Sequence, residues 1–287
     1  MPDQRIQINQ LELQIRDDPH PGEAILFLHF SGANLMMWQR AIPFFKERYR
    51  RVLVDLRGHG KSDRPESGYH MDQMAVDVAE IMDSLEIQKA HIIGSSLGAE
   101  VGLSLAANFP EKMLSLVCDG AISNEFGAYG TWEGTRAEFE THVAGMLERL
   151  RSVPDTVYPS VDALVERSRQ SLEGTGWWNA DLEAMERYDA QEAPGGYTKS
   201  FNRKLMAAYL EAYFQYRLED YYPRVQCPLL LLPGADVFDN PLEKAAMEGL
   251  KALAPHAQVA VVPGWEHPYG WLVDPEPACQ AILDFLR

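Results

Sequence analysis

The sequence predicts an α/β protein, with a mostly parallel central sheet flanked by helices and one helical cap insertion. Short apolar runs alternate with amphipathic segments, which is typical of parallel β/α units joined by right-handed crossovers. One apolar run, beginning at Ala90, leads into Gly-Ser-Ser-Leu-Gly at residues 94–98 and then into a segment rich in glycine and alanine. The alternation stops after Asp119 and resumes at Pro228. These observations together indicate one α/β domain interrupted by an insertion.

The first part of the chain supplies most of the predicted sheet. Residues from Arg5 to Arg16 alternate between polar and apolar side chains, which predicts an edge hairpin with one solvated face. The strands that follow are continuous apolar runs of the buried parallel kind, and the helices have apolar residues on one face. The predicted strands are 24–29, 51–55, 90–93 and 113–118, and the predicted helices are 35–48 and 74–85.

The long interval without strand-like runs is rich in helical and aromatic segments. A structureless loop of that length is implausible in a compact domain. Residues 121–224 are therefore predicted to form a helical cap, and residues 1–120 and 225–287 to form the core domain. Glycine-rich hinges are expected within the cap at 174–176 and 194–196. The core then closes with a helix at 241–254, a strand at 258–262 and a last helix at 275–286.

Composition excludes several classes of partner. The chain has 287 residues, 46% of them hydrophobic, and a formal net charge of −16. Such a charge disfavours nucleic acid and anionic membranes, which are themselves negative. The three cysteines lie far apart and suggest neither a disulfide framework nor a zinc site. Residues 1–5 lack the basic-then-apolar pattern of a signal peptide, and no apolar run approaches membrane-spanning length, so we expect neither feature. We expect a cytoplasmic monomer or homodimer that acts on a small molecule.

Residues 94–98 have the arrangement that a reactive serine needs. A strand, a sharp turn and a helix present the hydroxyl of Ser96 above a parallel sheet. Gly94 and Gly98 suit this turn, because a Cβ at either position would clash where the chain passes close to itself. A serine hydroxyl is unreactive at its own pKa and needs an adjacent base. His267 follows a strand end and a Pro-Gly turn, where a loop can lay its imidazole over the serine.

Three further segments carry a resemblance to a known family. Residues 28–34, with Trp38, look like an oxyanion loop. Residues 55–63 look like an Arg-Gly-His-Gly-x-Ser turn, and residues 263–267 resemble a segment that carries a catalytic histidine. With the serine turn, and in this order, they make the chain resemble the α/β-hydrolase superfamily over almost all of its length outside the insertion. The resemblance implies that family's fold, with a cap over the site.

The resemblance also implies roles for single residues. Ser96 would be the nucleophile and His267 the base, while the backbone N–H groups of Leu97 and Ser31 would form the oxyanion hole. His29 and His59, which also lie in family motifs, are expected to orient loops through hydrogen bonds. The family commonly has glycine where this sequence has Phe30, so we expect the Phe30 ring to line the acyl pocket.

The acid of the triad is where the sequence departs from the family. The position that usually holds an acidic residue is Val237. Asp236, one residue earlier, is the first choice, because a loop can absorb a one-residue shift. Asp119 is the alternative, since some family members take the acid from the end of that preceding strand, and Asp239 is a third choice. A Ser–His dyad without an acid also stays open, because loss of the acid weakens a triad without abolishing catalysis.

The predicted function is that of a serine hydrolase. It would cleave carboxylic esters or lactones through an acyl-enzyme intermediate, without a metal or an organic cofactor. The aromatic residues of the cap favour a bulky apolar or aromatic substrate, with Trp177 and Trp178 beside Phe30 as pocket residues. The alternatives are the same triad acting on a C–C, amide or peroxy-acid substrate, and a slow-turnover small-molecule receptor on a hydrolase scaffold.

Overall fold

The computed structural model describes residues 3–287. Over that range the strands are β1 (Asp3–Ile8), β2 (Leu11–Asp18), β3 (Ala24–Leu28), β4 (Arg50–Val54), β5 (Ala90–Ser95), β6 (Met113–Asp119), β7 (Ala190–Ala193), β8 (Gly196–Lys199), β9 (Leu229–Leu231) and β10 (Gln258–Val259). Eight of them form the central sheet, in the order β1-β2-β4-β3-β5-β6-β9-β10. Strands β4, β3, β5, β6, β9 and β10 run parallel to one another. Strands β1 and β2 form an antiparallel edge beside β4. The predicted mostly parallel sheet is confirmed.

Helices flank this sheet. Within residues 3–287 they are α1 (Met71–Ser84), α2 (Leu97–Asn108), α3 (Arg136–Ser152), α4 (Val161–Ser171), α5 (Ala180–Asp189), α6 (Arg203–Tyr213), α7 (Pro241–Leu253), α8 (Gly270–Val273) and α9 (Glu276–Phe285). The predicted helix at 35–48 is instead two short 3₁₀ turns, Leu35–Trp38 and Ile42–Phe45. Pro43 explains the break, because it lacks the N–H that a continuous helix would use there.

The continuous apolar strands are explained by burial on both faces. In β3, Leu26 and Leu28 belong to the core cluster that includes α1 and α2. Ile25 and Phe27 point to the opposite face and pack in the cluster of Trp271 and α9. Successive side chains of a strand alternate between faces, so each strand needs apolar residues throughout. The protein is therefore layered as helices, sheet and helices.

The segment between β6 and β9 contains α3 to α6 and the β7–β8 hairpin. The hairpin differs from the helical expectation, and its turn lies at the hinge predicted at 194–196. The segment is anchored to the core by side chains: the Tyr188 hydroxyl donates to the Asp55 carboxylate over 2.9 Å, and the Gly60 N–H donates to Ser200 Oγ over 3.0 Å. The domain boundaries at 120/121 and 224/225 stay predictions.

Two expectations from composition concern features outside the site. All three cysteines are buried and free, as small apolar side chains usually are. Over residues 3–287, no helix combines the length and the apolarity that spanning a membrane requires. The cytoplasmic location and the oligomeric state stay predictions.

Candidate active site

Ser96 occupies a strained turn between β5 and α2. Its backbone has φ 48° and ψ −117°, and a positive φ is unusual for a residue that carries a Cβ. The Ser96 N–H donates to the carbonyl of Asp119 over 2.6 Å, which ties the turn to the end of β6. The Ser96 side chain makes no capping hydrogen bond to α2. Its hydroxyl is therefore free to react, which a helix-capping serine would not be.

Close backbone packing explains the two glycines of the turn. A Cβ on Gly98 would lie 2.0 Å from the carbonyl oxygen of Leu28, and one on Gly94 would lie 2.3 Å from the carbonyl oxygen of Gly98. Both distances are far inside van der Waals contact. The glycines let α2 begin directly against β3 and β5, which holds Ser96 at the carboxyl end of the sheet.

His267 is hydrogen-bonded to a buried aspartate at the end of β6. The His267 Nδ1 and Asp119 Oδ1 atoms are 2.8 Å apart, and Asp119 is 1% exposed. Asp119 Oδ1 also accepts from Trp265 Nε1 over 3.0 Å. Its Oδ2 accepts from Ser95 Oγ over 2.6 Å and from Trp271 Nε1 over 2.7 Å. Both oxygens of the carboxylate are therefore doubly satisfied, which fixes its orientation.

This pair shifts the protonation of both partners. Burial alone would raise the pKa of Asp119, but the charge of His267 and the hydrogen bonds from its neighbours bring that pKa below its usual value. For His267, desolvation would lower the pKa, but the charge and hydrogen bond of Asp119 raise it above the usual histidine value. Glu100 and Asp236 add smaller raising contributions. Asp119 is thus an ionised carboxylate that favours a protonated imidazole.

The first choice for the acid, Asp236, does not form this pair. Asp236 is exposed, and His267 is bonded to Asp119 instead. The Asp236 carboxylate folds back over its own turn, since a Cβ on Gly234 would meet Asp236 Oδ1 at 2.2 Å. Asp239 is also exposed and does not line the cavity beside Ser96. Asp119, the alternative acid, has the geometry expected of the third member.

Sheet register explains why Asp119 can reach the histidine. Strands β5 and β6 are adjacent, and Ser95 pairs with Asp119, so the carboxylate lies beside the turn that holds Ser96. Gly120 follows with φ +107°, and a Cβ there would lie 3.1 Å from Ser96 Cα and 3.2 Å from His267 Cε1. The imidazole therefore packs over Gly120, directly beside Ser96.

The two amides expected to form an oxyanion hole lie at the same edge of the sheet. Leu97 is the first residue of α2, and Ser31 follows β3, in which Leu28 pairs with Gly94 of β5. Within residues 3–287, neither amide donates to a protein acceptor. Helix N-termini carry such free N–H groups. His29 precedes Ser31 in the same loop and accepts a hydrogen bond from the Leu56 N–H over 3.0 Å. This bond ties the loop to the end of β4, the orienting role expected of His29.

A cavity of about 300 Å³ opens beside Ser96 and His267. Its lining is mainly polar and acidic rather than aromatic. Neither lysine nor arginine occurs among its lining residues in the described part of the chain. The lining residues with acidic or phenolic side chains are Glu100, Asp119, Asp236, Glu243 and Tyr213.

The three predicted pocket residues lie elsewhere. Phe30 packs edge-on against Tyr269 with ring centroids 5.6 Å apart, and Trp177 stacks on the Tyr269 ring with centroids 4.5 Å apart. The indole N–H of Trp177 donates to the carboxylate of Glu266. Trp178 packs against the core cluster of Trp271. None of the three lines the cavity at Ser96, because these rings pack among themselves and against the core.

Sequence reasoning missed several residues of this site. Glu100 was identifiable as an acidic residue in the otherwise apolar first turns of α2, four positions after Ser96. Trp265 and Trp271 flank His267, but nothing in their spacing indicates that both indoles donate to one carboxylate. Within residues 3–287 there is no cluster of three or more histidine, cysteine or acidic residues that could hold a metal ion.

A mostly parallel sheet with a serine on a strand-to-helix turn, beside a histidine bonded to a buried aspartate, defines the class of α/β hydrolases. A sequence model of the alpha/beta hydrolase fold matches residues 23–271. The chain belongs to this family.

Several known proteins similar to this chain are named as hydrolases. It is 29% identical over 292 residues to the 2-(acetamidomethylene)succinate hydrolase of Mesorhizobium japonicum, covering 98% of this chain and 94% of that protein. It is 38% identical over 110 residues to 3-oxoadipate enol-lactonase 2 of Acinetobacter baylyi, which is 38% of this chain and 41% of that lactonase. The crystal structure of E-2-(acetamidomethylene)succinate hydrolase has a TM-score of 0.78 at 24% identity, covering 99% of this chain and 98% of that one. The relatives support hydrolase activity, and the structural likeness supports the fold.

Proposed function

We propose that this protein is a serine hydrolase that cleaves carboxylic esters or lactones through an acyl-enzyme intermediate. The observation that carries the proposal is the 2.8 Å hydrogen bond between His267 Nδ1 and the buried carboxylate of Asp119, beside Ser96. A neutral imidazole that donates from Nδ1 has its Nε2 lone pair free to accept a proton. The lactonase relative lends support to the lactone substrate.

The geometry suggests the following steps. His267 Nε2 takes the proton of Ser96 as its Oγ attacks the substrate carbonyl. The N–H groups of Leu97 and Ser31 hold the oxyanion, and because they are fixed backbone donors they lose little to reorganisation. Asp119 orients the imidazole and stabilises its charged form. His267 then passes the proton to the leaving alkoxide and activates water, which releases the acyl group from the serine.

The cavity does not favour the bulky apolar or aromatic group predicted from the cap. Tyr213 is the aromatic residue of its lining, and its hydroxyl donates to Glu125 over 2.9 Å. The aliphatic lining residues include Ile122 and Val237. Such a lining suits a small substrate with a polar part.

The test is hydrolysis of a graded panel of p-nitrophenyl esters and aryl lactones by wild type and Ser96→Ala. We expect turnover that falls by about 10³-fold or more in Ser96→Ala, because the variant lacks the hydroxyl that attacks the substrate carbonyl. His267→Ala should be similarly impaired, and His256→Ala, at an exposed histidine outside the site, should match wild type. Thermal unfolding of each variant controls for folding. Wild-type turnover by Ser96→Ala would overturn the assignment.

A further inference from the structure

We propose that the cavity beside Ser96 binds a compact cation of the ammonium class, carried by the leaving alcohol of the substrate and held by Glu100 and Glu243. This inference rests on the proposed function and names the class of ester that the site takes. It follows from the charge of the cavity, the unused hydrogen-bonding capacity of a buried carboxyl, and the side of the site on which the cavity lies.

Four acidic side chains line the cavity, and among its described lining residues His267, which is paired with Asp119, is the one side chain that can carry a positive charge. Of its four acidic residues, Asp119 is fully occupied by His267, Ser95 and two indoles. Glu243, half-buried on α7, accepts from Asn240 Nδ2 with one oxygen, over 2.9 Å. Asp236 is exposed at the same cavity. The lining residues in the described part of the chain include no lysine or arginine, so an anionic group would meet repulsion there.

Glu100 is the buried glutamate of the cavity lining. It is 6% exposed, and it lies among the fully buried Leu97, Ala99 and Val101 of α2. Tyr209 donates to Glu100 Oε2 over 3.3 Å, while no donor within residues 3–287 bonds to Oε1. Burial raises the pKa of Glu100 to about 8. A buried carboxyl with a vacant acceptor is costly to ionise by itself, and an adjacent cation removes that cost.

The position of the cavity indicates which part of the substrate enters it. His267 lines the same cavity, and this residue gives its proton to the leaving alkoxide, so the alcohol must lie on the His267 side. The Glu100 N–H donates to the Ser96 carbonyl over 3.1 Å, so Glu100 lies about one turn of α2 beyond Ser96, a rise of about 5.4 Å. A cation two carbons from the ester oxygen spans a distance of this size.

The first experiment compares three butyrate esters that differ in one group of the alcohol. These are the ester of choline, that of its uncharged isostere 3,3-dimethylbutan-1-ol, and that of the anionic 2-hydroxyethanesulfonate. Rates are followed by proton release at constant pH. We expect kcat/KM for the choline ester to exceed that of the neutral ester by about tenfold or more, since opposite charges attract more strongly in a partly buried cavity than in water. The sulfonate ester should be the slowest.

Matched variants test whether the preference for the choline ester comes from the acidic residues of the cavity. Glu100→Gln and Glu243→Gln should each reduce the ratio of choline to neutral ester by about fivefold or more, because a glutamine amide cannot ionise to form the carboxylate that pairs with the cation. Glu248→Gln removes a charge from the same helix as Glu243, at an exposed residue that does not line the cavity. Its ratio should equal that of wild type. If the Glu100 variant does not fold, the half-buried Glu243 supplies the same comparison.

Binding of the free alcohols separates this inference from the proposed function. Calorimetry with wild type should give tighter binding of choline than of 3,3-dimethylbutan-1-ol, and weaker choline binding in Glu100→Gln. Selective choline binding without Ser96-dependent hydrolysis of any ester would refute the hydrolase and leave the cation site standing. Ser96-dependent hydrolysis with equal or faster turnover of the neutral ester, and equal binding of the two alcohols, would overturn the cation site alone.

Discussion

Two buried aspartates at the carboxyl ends of strands in one sheet have opposite protonation behaviour. Asp119 ends β6 at 1% exposure, and Asp55 follows β4 at 0%. Burial raises the pKa of Asp55 to about 7, while the pKa of Asp119 lies below its usual value. Equal burial therefore does not decide the charge of a carboxyl group.

Their partners explain the difference. Asp55 accepts from the backbone N–H groups of Leu35 and Lys61, over 2.7 and 2.8 Å, and from the Tyr188 hydroxyl. These donors are neutral and only partly offset desolvation. Asp119 has a comparable set of neutral donors and, in addition, His267, whose positive charge it stabilises. Hydrogen bonds position both carboxylates, but the titratable partner makes one of them an ionised group at neutral pH.

The largest expected effect comes from removing the charge of Asp119. Asp119→Asn should lower kcat by about 10³–10⁴-fold, because an amide supports neither the correct tautomer nor the charged form of His267. Asp236→Asn is the matched control, since Asp236 also lines the cavity but is not bonded to His267. Its kcat on a neutral ester should stay within about threefold of wild type. A larger loss of kcat in Asp236→Asn than in Asp119→Asn would instead identify Asp236 as the acid of the triad.

The pH profile of activity sharpens the same contrast. The base must be neutral to accept a proton, and the pKa of His267 is raised by Asp119, with smaller contributions from Glu100 and Asp236. In wild type, kcat/KM for a neutral ester should therefore rise with pH through a midpoint above 6.5, the usual histidine pKa. In Asp119→Asn the pKa of His267 should fall, so the midpoint of the rise in residual activity should move to lower pH. An unchanged midpoint would contradict the pairing.

Removing one hydroxyl donor from each aspartate gives the smallest effects. Ser95→Ala removes a donor to Asp119 and should lower kcat by about tenfold, as expected for a hydrogen bond to a charged group. Tyr188→Phe removes a donor to Asp55 and should reduce the free energy of unfolding by about 1 kcal/mol, with kcat nearly unchanged. Steady-state kinetics and urea unfolding measure the two effects. Equal losses of kcat in both variants would refute the distinction between the two aspartates.

Much of the fold could be predicted from sequence because its signals are local. Apolar runs such as 24–28 and the amphipathic face of α1 reflect burial that each element needs for itself. The prediction of one helix at 35–48 was wrong, because Pro43 lacks the backbone N–H that a continuous helix needs there. The hairpin at 190–199 lay within a segment whose helical and aromatic content dominated the pattern.

The site was predictable in part for a related reason. Ser96 and His267 lie in recognisable motifs, and the structure brings them to one cavity. The partner of His267 depends on the pairing of β5 with β6 and on two indoles that converge on Asp119. Those contacts join residues far apart in the chain, so the sequence alone could not decide which of several aspartates is the acid. The aromatic residues of the cap were a poor guide to the cavity, because aromatic side chains also pack with each other.

The position of Asp119 on β6 has a consequence for engineering. In the arrangement that the sequence first suggested, the loop after β9 would have had to hold the acid in register with His267. Here the residues of that loop that line the cavity make no hydrogen bond to the imidazole; they are Leu232, Pro233, Gly234, Asp236 and Val237. Loop grafts or randomised libraries at 235–240 can therefore be used to change selectivity, while Ser96, Asp119 and His267, which lie outside this loop, keep their positions.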